Sequence, residues 1–335
     1  MKNKIVVLGA GGWAIALAMV LNDNGHSVTI WSKLPAELDE IRAERQRPSV
    51  LEGVTIPDGI AVSDDLSVVS DADAVVLATA SRFVRPTAAA LKDVLPKEAI
   101  IISVAKGLDP ETNETLSAVI SRELPDNAVT VLSGPSHAEE VARRIPTTLV
   151  AAATDKKTAR LVADLFMNKY IRVYLSDDVT GVQLGGVIKN VIAVAAGIID
   201  GMGYGDNTRA ALMTRAIVEM ARLGEAMGGR KQTFAGLTGV GDLIVTCTSM
   251  HSRNHRCGIL IGQGVDTETA VKEIGMTVEG VASAKTVREL AKQKQVEMPI
   301  VDAVYEILYE GLSVKEALLG LMQRSIKSED EDEWF

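Results

Sequence analysis

Cysteine is scarce in this chain of 335 residues, which holds only Cys247 and Cys257. Two cysteines cannot form a framework of disulfides, and without a Cys-x-x-Cys word the usual spacing of a structural zinc site is missing. His251 and His255 lie between the two cysteines, so residue type alone allows a zinc site there. Because the spacing matches no standard ligand pattern, we expect no metal centre.

Positive charge is also in deficit. The chain carries 35 lysines and arginines against 44 aspartates and glutamates, which gives a formal net charge of −9. A chain this acidic is a poor binder of nucleic acids and anionic membranes, so any anionic ligand must be held by local positive groups. We therefore predict no nucleic-acid partner.

Neither a secretion signal nor a membrane span is evident in the sequence. The apolar run near the N-terminus is soon broken by glycines and is too short for a signal peptide. The longest apolar run, residues 184–199, falls short of a membrane span and contains a lysine. We predict a soluble, cytoplasmic protein without a membrane span.

The pattern of apolar runs predicts an α/β architecture followed by helices. A chain of this length is too long for one ordinary core and favours two domains. Strand patterns alternate with helical ones in the first half, which is typical of a doubly wound, mostly parallel sheet. The predicted strands are residues 4–8, 27–31, 74–78, 99–104, 128–132 and 147–153.

The pattern changes near residue 178, after which long segments rich in Ala, Leu, Met and Glu replace the strands. The predicted helices are 178–200, 208–227, 265–274, 280–293, 300–310 and 313–323. We therefore predict a dinucleotide-binding domain at 1–177, an all-α substrate domain at 178–325 and an acidic, solvated tail at 326–335.

A glycine-rich turn, Gly9–Ala14 (GAGGWA), joins the first strand to an Ala-rich helix and fits the dinucleotide fingerprint G-x-G-x-x-G/A. Gly9 allows the tight turn, Gly11 lets backbone amides approach a pyrophosphate, and Ala14 permits close packing of helix on strand. The strand–helix–strand unit has the expected length of about 30 residues. The turn predicts a dinucleotide site, with a purely structural glycine turn as the alternative.

The second strand ends without the acidic residue that usually binds the ribose 2′-hydroxyl of NAD. Ser32 and Lys33 stand there instead. A cation at this position tolerates the 2′-phosphate, so the sequence permits NADP as well as NAD. The alternative is that Lys33 is a solvated surface residue, as most lysines are.

Lys189 is the only ionisable residue in the apolar run from Leu184 to Ile199. Burying an ammonium group is costly, and desolvation lowers its pKa toward the range that is useful for proton transfer near neutral pH. The alternative is a lysine on the polar edge of a core helix with its head group in water. Taken together with the other motifs, the run predicts a catalytic lysine.

Polar groups follow two of the predicted strands. Lys106 comes after the strand at 99–104, and Gly134 and Ser136 come after the strand at 128–132. The carboxyl ends of parallel strands line the crevice in which doubly wound folds bind their ligands, so these groups are expected there. The adjacent His137 is interpreted as a helix-start residue, with general acid–base catalysis as the alternative.

Further candidate groups lie in the second half. Asp242 follows two glycines among apolar neighbours, and a surface turn is its alternative. Ser252, Arg253 and Asn254 begin a helix, where a capping hydroxyl, a guanidinium and an amide can form a cradle for phosphate. A plain helix cap is the alternative for Ser252, and a capping role is likewise the alternative for Glu279.

Together these motifs resemble those of the bacterial type of NAD(P)-dependent sn-glycerol-3-phosphate dehydrogenase. The resemblance covers about residues 4–322, nearly the whole chain, and implies a Rossmann domain followed by a helical domain. Its most specific parts are SGPSHAEEV (133–141), GVQLGGVIKN (181–190), GDN (205–207), GLTGVGDLIVTCTS (236–249) and SRN (252–254).

The resemblance also implies roles for individual residues. Lys189 matches the family's proton acceptor, and Asp242 is the second predicted catalytic residue, orienting the lysine or a substrate hydroxyl. The predicted substrate contacts are Lys106, Gly134, Ser136, Lys189, Asp242, Ser252, Arg253 and Asn254. The predicted cofactor contacts are Gly9 and Gly11 from the fingerprint and, from the resemblance, Gly12, Trp13, Lys33, Lys106, Ala138, Arg253, Thr277 and Glu279.

At three places the sequence departs from the family's usual motifs. Ala14 and Ile15 stand where the family has Gly-Thr, residues 79–81 (TAS) replace Val-Pro-Ser, and Gln183 replaces a glutamate about two helical turns before the catalytic lysine. These departures bear on cofactor affinity and preference. Lys189, Asp242 and the Ser-Arg-Asn motif at 252–254 match the family's pattern.

The leading hypothesis is the reversible oxidation of sn-glycerol 3-phosphate to dihydroxyacetone phosphate with NAD or NADP, which supplies glycerol 3-phosphate for phospholipid synthesis. A dehydrogenase of another small hydroxy acid or phosphate is one alternative, since a fold alone does not define a substrate. A nucleotide-binding sensor that has lost turnover is another. A homodimer is the default expectation for the assembly.

Overall fold

The first half of the chain folds into a single sheet of eight strands. The structure is a computed structural model that describes residues 2–326. The strands are β1 (Lys4–Leu8), β2 (Ser27–Trp31), β3 (Ile60–Ser63), β4 (Ala74–Leu77), β5 (Ile100–Ser103), β6 (Val129–Ser133), β7 (Thr147–Ala152) and β8 (Ile171–Ser176). Their order across the sheet is β3-β2-β1-β4-β5-β6-β7-β8, and only the β6–β7 pair is antiparallel. The predicted doubly wound, mostly parallel sheet is confirmed.

The six predicted strands agree with the structure within one residue at each end, whereas β3 and β8 were missed. β3 has only four residues, and β8 lies at the edge of the sheet with exposed side chains alternating with buried ones along its first half. Neither strand carries the continuous apolar run that marks a central parallel strand.

Helices cover both faces of this sheet. They are α1 (Gly12–Asp23), α2 (Pro35–Glu44), α3 (Ser81–Leu91), α4 (Leu116–Glu123), α5 (Ala138–Ala142) and α6 (Lys156–Phe166), with a 3₁₀ turn at Leu66–Val69. The alternation of side chains along β1 divides the core: Ile5 and Val7 pack with α1, while Val6 and Leu8 pack with α3 and α4. Since β1 lies between β2 and β4, the chain reverses its direction of winding there, and ligands bind at that point in such sheets.

The second half is helical, as predicted. Its helices are α7 (Val179–Gly201), α8 (Asp206–Ala226), α9 (Lys231–Phe234), α10 (Asp242–Thr248), α11 (Arg253–Gly262), α12 (Thr267–Ile274), α13 (Glu279–Gln293), α14 (Pro299–Tyr305) and α15 (Val314–Met322), with π turns at Leu237–Gly241 and Glu306–Glu310. The sequence pattern missed α9 and α10, because a helix of one or two turns is too short to show a period. For α11 it predicted only the start, at Ser252–Asn254.

α7 is the central helix of this half. All of its residues from Gly181 to Ile199 are buried. It is long and apolar enough to cross a membrane, with a mean hydropathy of 1.8, but the whole of that window is covered by other parts of the chain. α7 is therefore the core helix of this half.

α11 crosses α7 with the two backbones in direct contact. A Cβ on Gly197 would lie 2.0 Å from the carbonyl oxygen of His255, and a Cβ on Gly258 would lie 2.2 Å from that of Val194. No side chain fits in such a space, so the glycines set how closely the helices approach. The start of α11 is thereby fixed beside the C-terminal half of α7.

The change from strands to helices is abrupt. β8 ends at Ser176 and α7 begins at Val179, with Asp178 as the N-cap of α7. The division of the chain into domains at 1–177 and 178–325 remains a prediction. Apart from its first residue, the predicted acidic tail at 326–335 lies outside the described residues.

Candidate active site

Lys189 lies in the middle of α7 with a buried, paired ammonium group. Its side chain is 7% exposed, and Nζ donates to Asp242 Oδ1 at 2.6 Å and to Thr246 Oγ1 at 2.7 Å. Desolvation outweighs the attraction of the aspartate and lowers the pKa of Lys189 to about 8. Lys189 can therefore change between its ammonium and neutral amine forms near neutral pH. The alternative of a lysine with its head group in water is excluded.

Asp242 joins two ammonium groups. Its carboxylate is 1% exposed, and Oδ2 accepts from Lys106 Nζ at 2.6 Å while Oδ1 contacts Lys189. Burial favours the neutral acid, but the two lysines outweigh it and hold the pKa of Asp242 below its ordinary value. Two cations and one carboxylate leave the cluster with an excess of positive charge, which suits an anionic substrate. Asp242 is therefore not part of a surface turn.

A close contact between α7 and the π turn brings the aspartate to the lysine. A Cβ on Gly185 would lie 2.3 Å from the carbonyl oxygen of Thr238, so only glycine lets the turn come this near. The turn ends at Gly241, and Asp242 follows it as the first residue of α10. One helical turn later, Thr246 faces the same lysine.

Lys106, Gly134 and Ser136 bring the ends of two neighbouring strands into this site. Lys106 Nζ donates to the carbonyl oxygen of Gly134 at 3.0 Å in addition to the aspartate. Ser136 Oγ donates to the same carbonyl at 2.9 Å. The three predicted residues are therefore brought together at the carboxyl ends of β5 and β6, where the crevice was expected.

Ser252 and Asn254 fasten the start of α11. Ser252 Oγ accepts from the backbone N–H of His255 at 3.2 Å, so the capping role is confirmed. Asn254 Nδ2 donates to Asn190 Oδ1 at 3.0 Å, and its Oδ1 accepts from the N–H of Gly280 at 2.8 Å. The amide of Asn254 thus ties α11 to α7 and α13.

Arg253 is the group at this helix start that remains available to a ligand. Its guanidinium makes no hydrogen bond or ion pair with any residue from 2 to 326. Burial lowers its pKa against the attraction of Glu279 and Glu139. A half-buried guanidinium without a direct partner, at the N-terminus of a helix, is suited to binding an anion.

The glycine-rich turn has the geometry that a dinucleotide requires. Gly9 has φ +122°, and a Cβ there would lie 2.8 Å from the carbonyl oxygen of Ala78, whereas the space within 4 Å of a Cβ on Gly11 is open. A Cβ on Gly12 would lie 2.8 Å from the carbonyl oxygen of Val50. Because α1 begins at Gly12 without a side-chain cap, its first amides are available to an anion.

Trp13 and Ala138 border this turn. The indole Nε1 of Trp13 is buried and has no hydrogen-bond partner within the described part of the chain, and the Cβ of Ala138 lies 3.6 Å from the Cβ position of Gly12. An unpaired N–H and an uncapped helix start both suit the oxygen-rich pyrophosphate and ribose groups of a dinucleotide. The residues present therefore fit NAD(P).

The remaining predicted cofactor residues are more scattered. Glu279 Oε2 accepts from Ser81 Oγ at 3.0 Å, which joins α13 to the start of α3, and burial raises the pKa of Glu279. Lys33 and Thr277 are exposed, and neither makes a hydrogen bond or ion pair over residues 2–326. The structure does not bring these two into the buried cluster.

Gln183, one of the departures from the family's usual motifs, does not contact Lys189. Its Oε1 accepts from the backbone N–H of Ser117 at 3.1 Å, and its amide group donates to Ser117 Oγ. The side chain is buried and joins α7 to the start of α4. This departure is therefore part of a contact between the two halves of the chain.

Thr246 and Asn190 belong to the site but were not among the predicted contacts. Thr246 Oγ1 donates to the carbonyl oxygen of Asp242 at 2.6 Å while it accepts from Lys189. Asn190 Nδ2 donates to the carbonyl oxygen of Lys106 at 3.4 Å. Both left a signal, because Thr246 is four residues after the aspartate and Asn190 is the other strongly polar residue of the α7 run.

Sequence models of one family match almost the whole chain. The model described as the NAD-dependent glycerol-3-phosphate dehydrogenase N-terminus matches residues 4–159, and the model of the C-terminus of the same family matches residues 178–319.

Individual relatives agree with this match. A glycerol-3-phosphate dehydrogenase (NAD(P)+) of Clostridium perfringens is 48% identical over 329 residues, which cover 98% of this chain and 99% of that protein. One of Fusobacterium nucleatum is 50% identical over 329 residues, with coverage of 97% and 98%. The crystal structure of a glycerol-3-phosphate dehydrogenase from Coxiella burnetii superposes with a TM-score of 0.93 at 35% identity, and covers 96% of this chain and 99% of that one.

The geometry of the site is consistent with these matches. The sheet presents a fingerprint turn that fits NAD(P), and the helices present a buried lysine beside a cationic helix start. The chain therefore belongs to the NAD(P)-dependent glycerol-3-phosphate dehydrogenases, the oxidoreductases that interconvert glycerol 3-phosphate and dihydroxyacetone phosphate.

Proposed function

We propose that Lys189 is the acid and base with which this enzyme interconverts sn-glycerol 3-phosphate and dihydroxyacetone phosphate. The observation that carries the proposal is the buried cluster in which Lys189 Nζ lies 2.6 Å from Asp242 and 2.7 Å from Thr246. A pKa of about 8 lets the lysine hold a proton or release it with little change in free energy near neutral pH.

In the reductive direction the ammonium of Lys189 donates a hydrogen bond to the C2 carbonyl oxygen of the substrate and then transfers the proton to it. In the oxidative direction the neutral amine accepts the proton of the C2 hydroxyl. Asp242 compensates the charge of the ammonium and directs its N–H groups, with Thr246 as a second fixed acceptor. When bound, NAD(P)H would supply the hydride to C2 in the reductive direction, and NAD(P)+ would accept it in the oxidative direction.

Arg253 and the amides at the start of α11 hold the phosphate of the substrate in this proposal. The guanidinium has no direct protein partner to give up, and a helix N-terminus favours a dianion. Lys106 adds positive charge from the sheet side. Its ammonium is fixed in place by Asp242 and the carbonyl of Gly134. The phosphate fixes the triose so that its central carbon lies beside Lys189.

Three further proposals concern the location, the metabolic role and the assembly of the enzyme. We propose that the enzyme works in the cytoplasm, that it supplies glycerol 3-phosphate for phospholipid synthesis, and that it acts as a homodimer. Its two cysteines, both free and buried, support a reducing compartment. Gel filtration with light scattering tests the assembly, since a mass of one chain would exclude the dimer.

Replacing Arg253 by alanine tests the assignment of the substrate. We expect the KM for dihydroxyacetone phosphate to rise about 30- to 100-fold, because a charge-assisted, bidentate contact contributes about 2–3 kcal/mol. Activity with unphosphorylated dihydroxyacetone should change less than about threefold, since that substrate cannot use the guanidinium. Steady-state consumption of NAD(P)H measures both, and equal losses with the two substrates would contradict the proposal.

A further inference from the structure

His137 is a half-buried side chain at the edge of the site to which this mechanism gives no role. It is the N-cap of α5, as the sequence predicted, but its side chain makes no capping hydrogen bond. The ring nitrogen Nε2 instead lies 3.2 Å from the carbonyl oxygen of Val245, in the middle of α10. The imidazole thus reaches from the sheet half of the molecule to the helical half.

The contacted carbonyl is one that α10 cannot satisfy by itself. The last four carbonyl groups of any helix lack an intrahelical partner, and in the seven-residue α10 they begin at Val245. A helix this short has little stability of its own and depends on contacts from outside. Because a carbonyl only accepts hydrogen bonds, Nε2 must carry the proton and donate.

Both elements joined by His137 carry site residues. The loop after β6 contributes Gly134 and Ser136, and α10 contributes Asp242 and Thr246. The bond to Val245 adjoins Thr246 in the chain, so a displacement of that carbonyl also displaces the hydroxyl that accepts from the catalytic lysine.

The charges around the imidazole favour the neutral ring. Burial lowers the pKa of His137, and the ammonium groups of Lys189 on α7 and Lys106 after β5 act in the same direction, while Glu139 on α5 opposes them. The ring of His251, in the segment before α11, lies 5.8 Å away at a tilt of 53° and completes the surroundings. At pH 7 the ring is therefore a neutral hydrogen-bond donor and not an acid catalyst.

We propose that His137 is a positioning residue that ties the substrate loop after β6 to α10 and so keeps Asp242 and Thr246 aligned on the catalytic lysine. The inference rests on the proposed function, since it assigns a purpose to the alignment of that lysine.

A pair of matched amides tests the proposal. In His137→Gln the amide nitrogen stands near the place of Nε2 and can still donate to Val245, whereas the side chain in His137→Asn is one methylene shorter and cannot reach. We expect the glutamine variant to retain kcat within about threefold and the asparagine variant to lose about tenfold, the effect of one misaligned hydrogen bond. The Kd for NADPH should stay unchanged in both.

The pH profile supplies a readout that a general loss of stability would not move. Asp242 raises the pKa of Lys189, so a loosened α10 should shift the basic limb of kcat/KM for dihydroxyacetone phosphate to lower pH in the asparagine variant alone. His251→Ala serves as a control, because that ring contacts His137 without a hydrogen bond to α10, and its basic limb should not move.

The outcomes are separable from those of the proposed function. A wild-type protein that does not reduce dihydroxyacetone phosphate would refute the function itself. An active wild type whose glutamine and asparagine variants have equal kcat, or whose basic limb stays in place in the asparagine variant, would refute only the role of His137.

Discussion

The two halves of the chain meet at the candidate site, where one half offers mainly backbone groups and the other mainly side chains. In the sheet half, the fingerprint turn works through its backbone, because Gly9 leaves no room for a side chain and the amides of α1 are uncapped. In the helical half, the groups to which we assign the chemistry are side chains such as Lys189, and glycines such as Gly197 allow helices to pack closely. We therefore expect cofactor binding to depend on backbone shape and turnover to depend on a few side chains.

This difference predicts that the two properties can be lost separately. A change to a functional group in the helical half should abolish turnover and spare cofactor binding, while a change to backbone geometry in the sheet half should do the reverse. Buried charges away from the crevice should affect only stability, and exposed charges near it should affect only preference.

Lys189→Met should have the largest effect. The variant keeps the apolar volume of the side chain but no proton donor, and we expect kcat to fall by about 10²–10⁴. Asp242 retains Lys106 at 2.6 Å, so the carboxylate is not left unpaired and the protein should fold. NAD(P)H consumption and fluorescence titration of the cofactor measure the two properties, with the exposed Lys285→Met as the control. A kcat within tenfold of the wild type would remove the lysine from the mechanism.

Gly9→Ala should produce the opposite pattern. The added Cβ meets a carbonyl oxygen at 2.8 Å in a backbone conformation of φ +122°, so the turn must shift and the Kd for NAD(P)H should rise about 10- to 100-fold. Gly25→Ala is the matched control, since Gly25 also has positive φ but open space around a Cβ. It should lose stability without losing affinity. Equal affinities in the two variants would mean that the turn does not hold the cofactor.

The sequence was sufficient to predict a feature of the site where a single short motif indicates both a local structure and a chemical group. The glycine turn, the lysine in its apolar run and the capped Ser-Arg-Asn start were all recognisable without coordinates. The partners of these groups were not, because they depend on how distant elements approach each other. Glu279 and Ser81 are 198 residues apart in the chain, and Thr246 faces the lysine only because of an intervening π turn. Such contacts leave no pattern in a window of sequence.

Glu219 tests whether a second buried charge in the helical half is purely structural. Its carboxylate accepts from the N–H groups of Ile300 and Val301 at the start of α14, and burial raises its pKa to about 7. The folded chain therefore holds more protons than the unfolded chain between about pH 4.5 and 7, and stability should fall by about 1–3 kcal/mol as pH rises through that window.

Glu219→Gln removes this titration, so its free energy of unfolding should lose that component of pH dependence while kcat stays within about twofold of the wild type. Urea unfolding at a series of pH values measures the effect. The exposed Glu225→Gln on the same helix should leave the wild-type profile in place. A tenfold loss of kcat in Glu219→Gln would show that the helical half does not separate its structural charges from its chemistry.

Lys33→Asp should have the smallest effect, because it changes an exposed side chain in the half where the backbone does most of the binding. Lys33 has no hydrogen bond or ion pair in the chain from residue 2 to 326. The hydroxyl of the adjacent Ser32 donates to Glu37 Oε2 at 2.6 Å. An exposed charge contact contributes about 1 kcal/mol or less, so the kcat/KM ratio of NADPH to NADH should fall about fivefold or less, and by less at high salt. The exposed Lys92→Asp should leave the ratio unchanged. A loss of a hundredfold that salt does not weaken would mean that a side chain, and not the backbone, dominates cofactor binding in the sheet half.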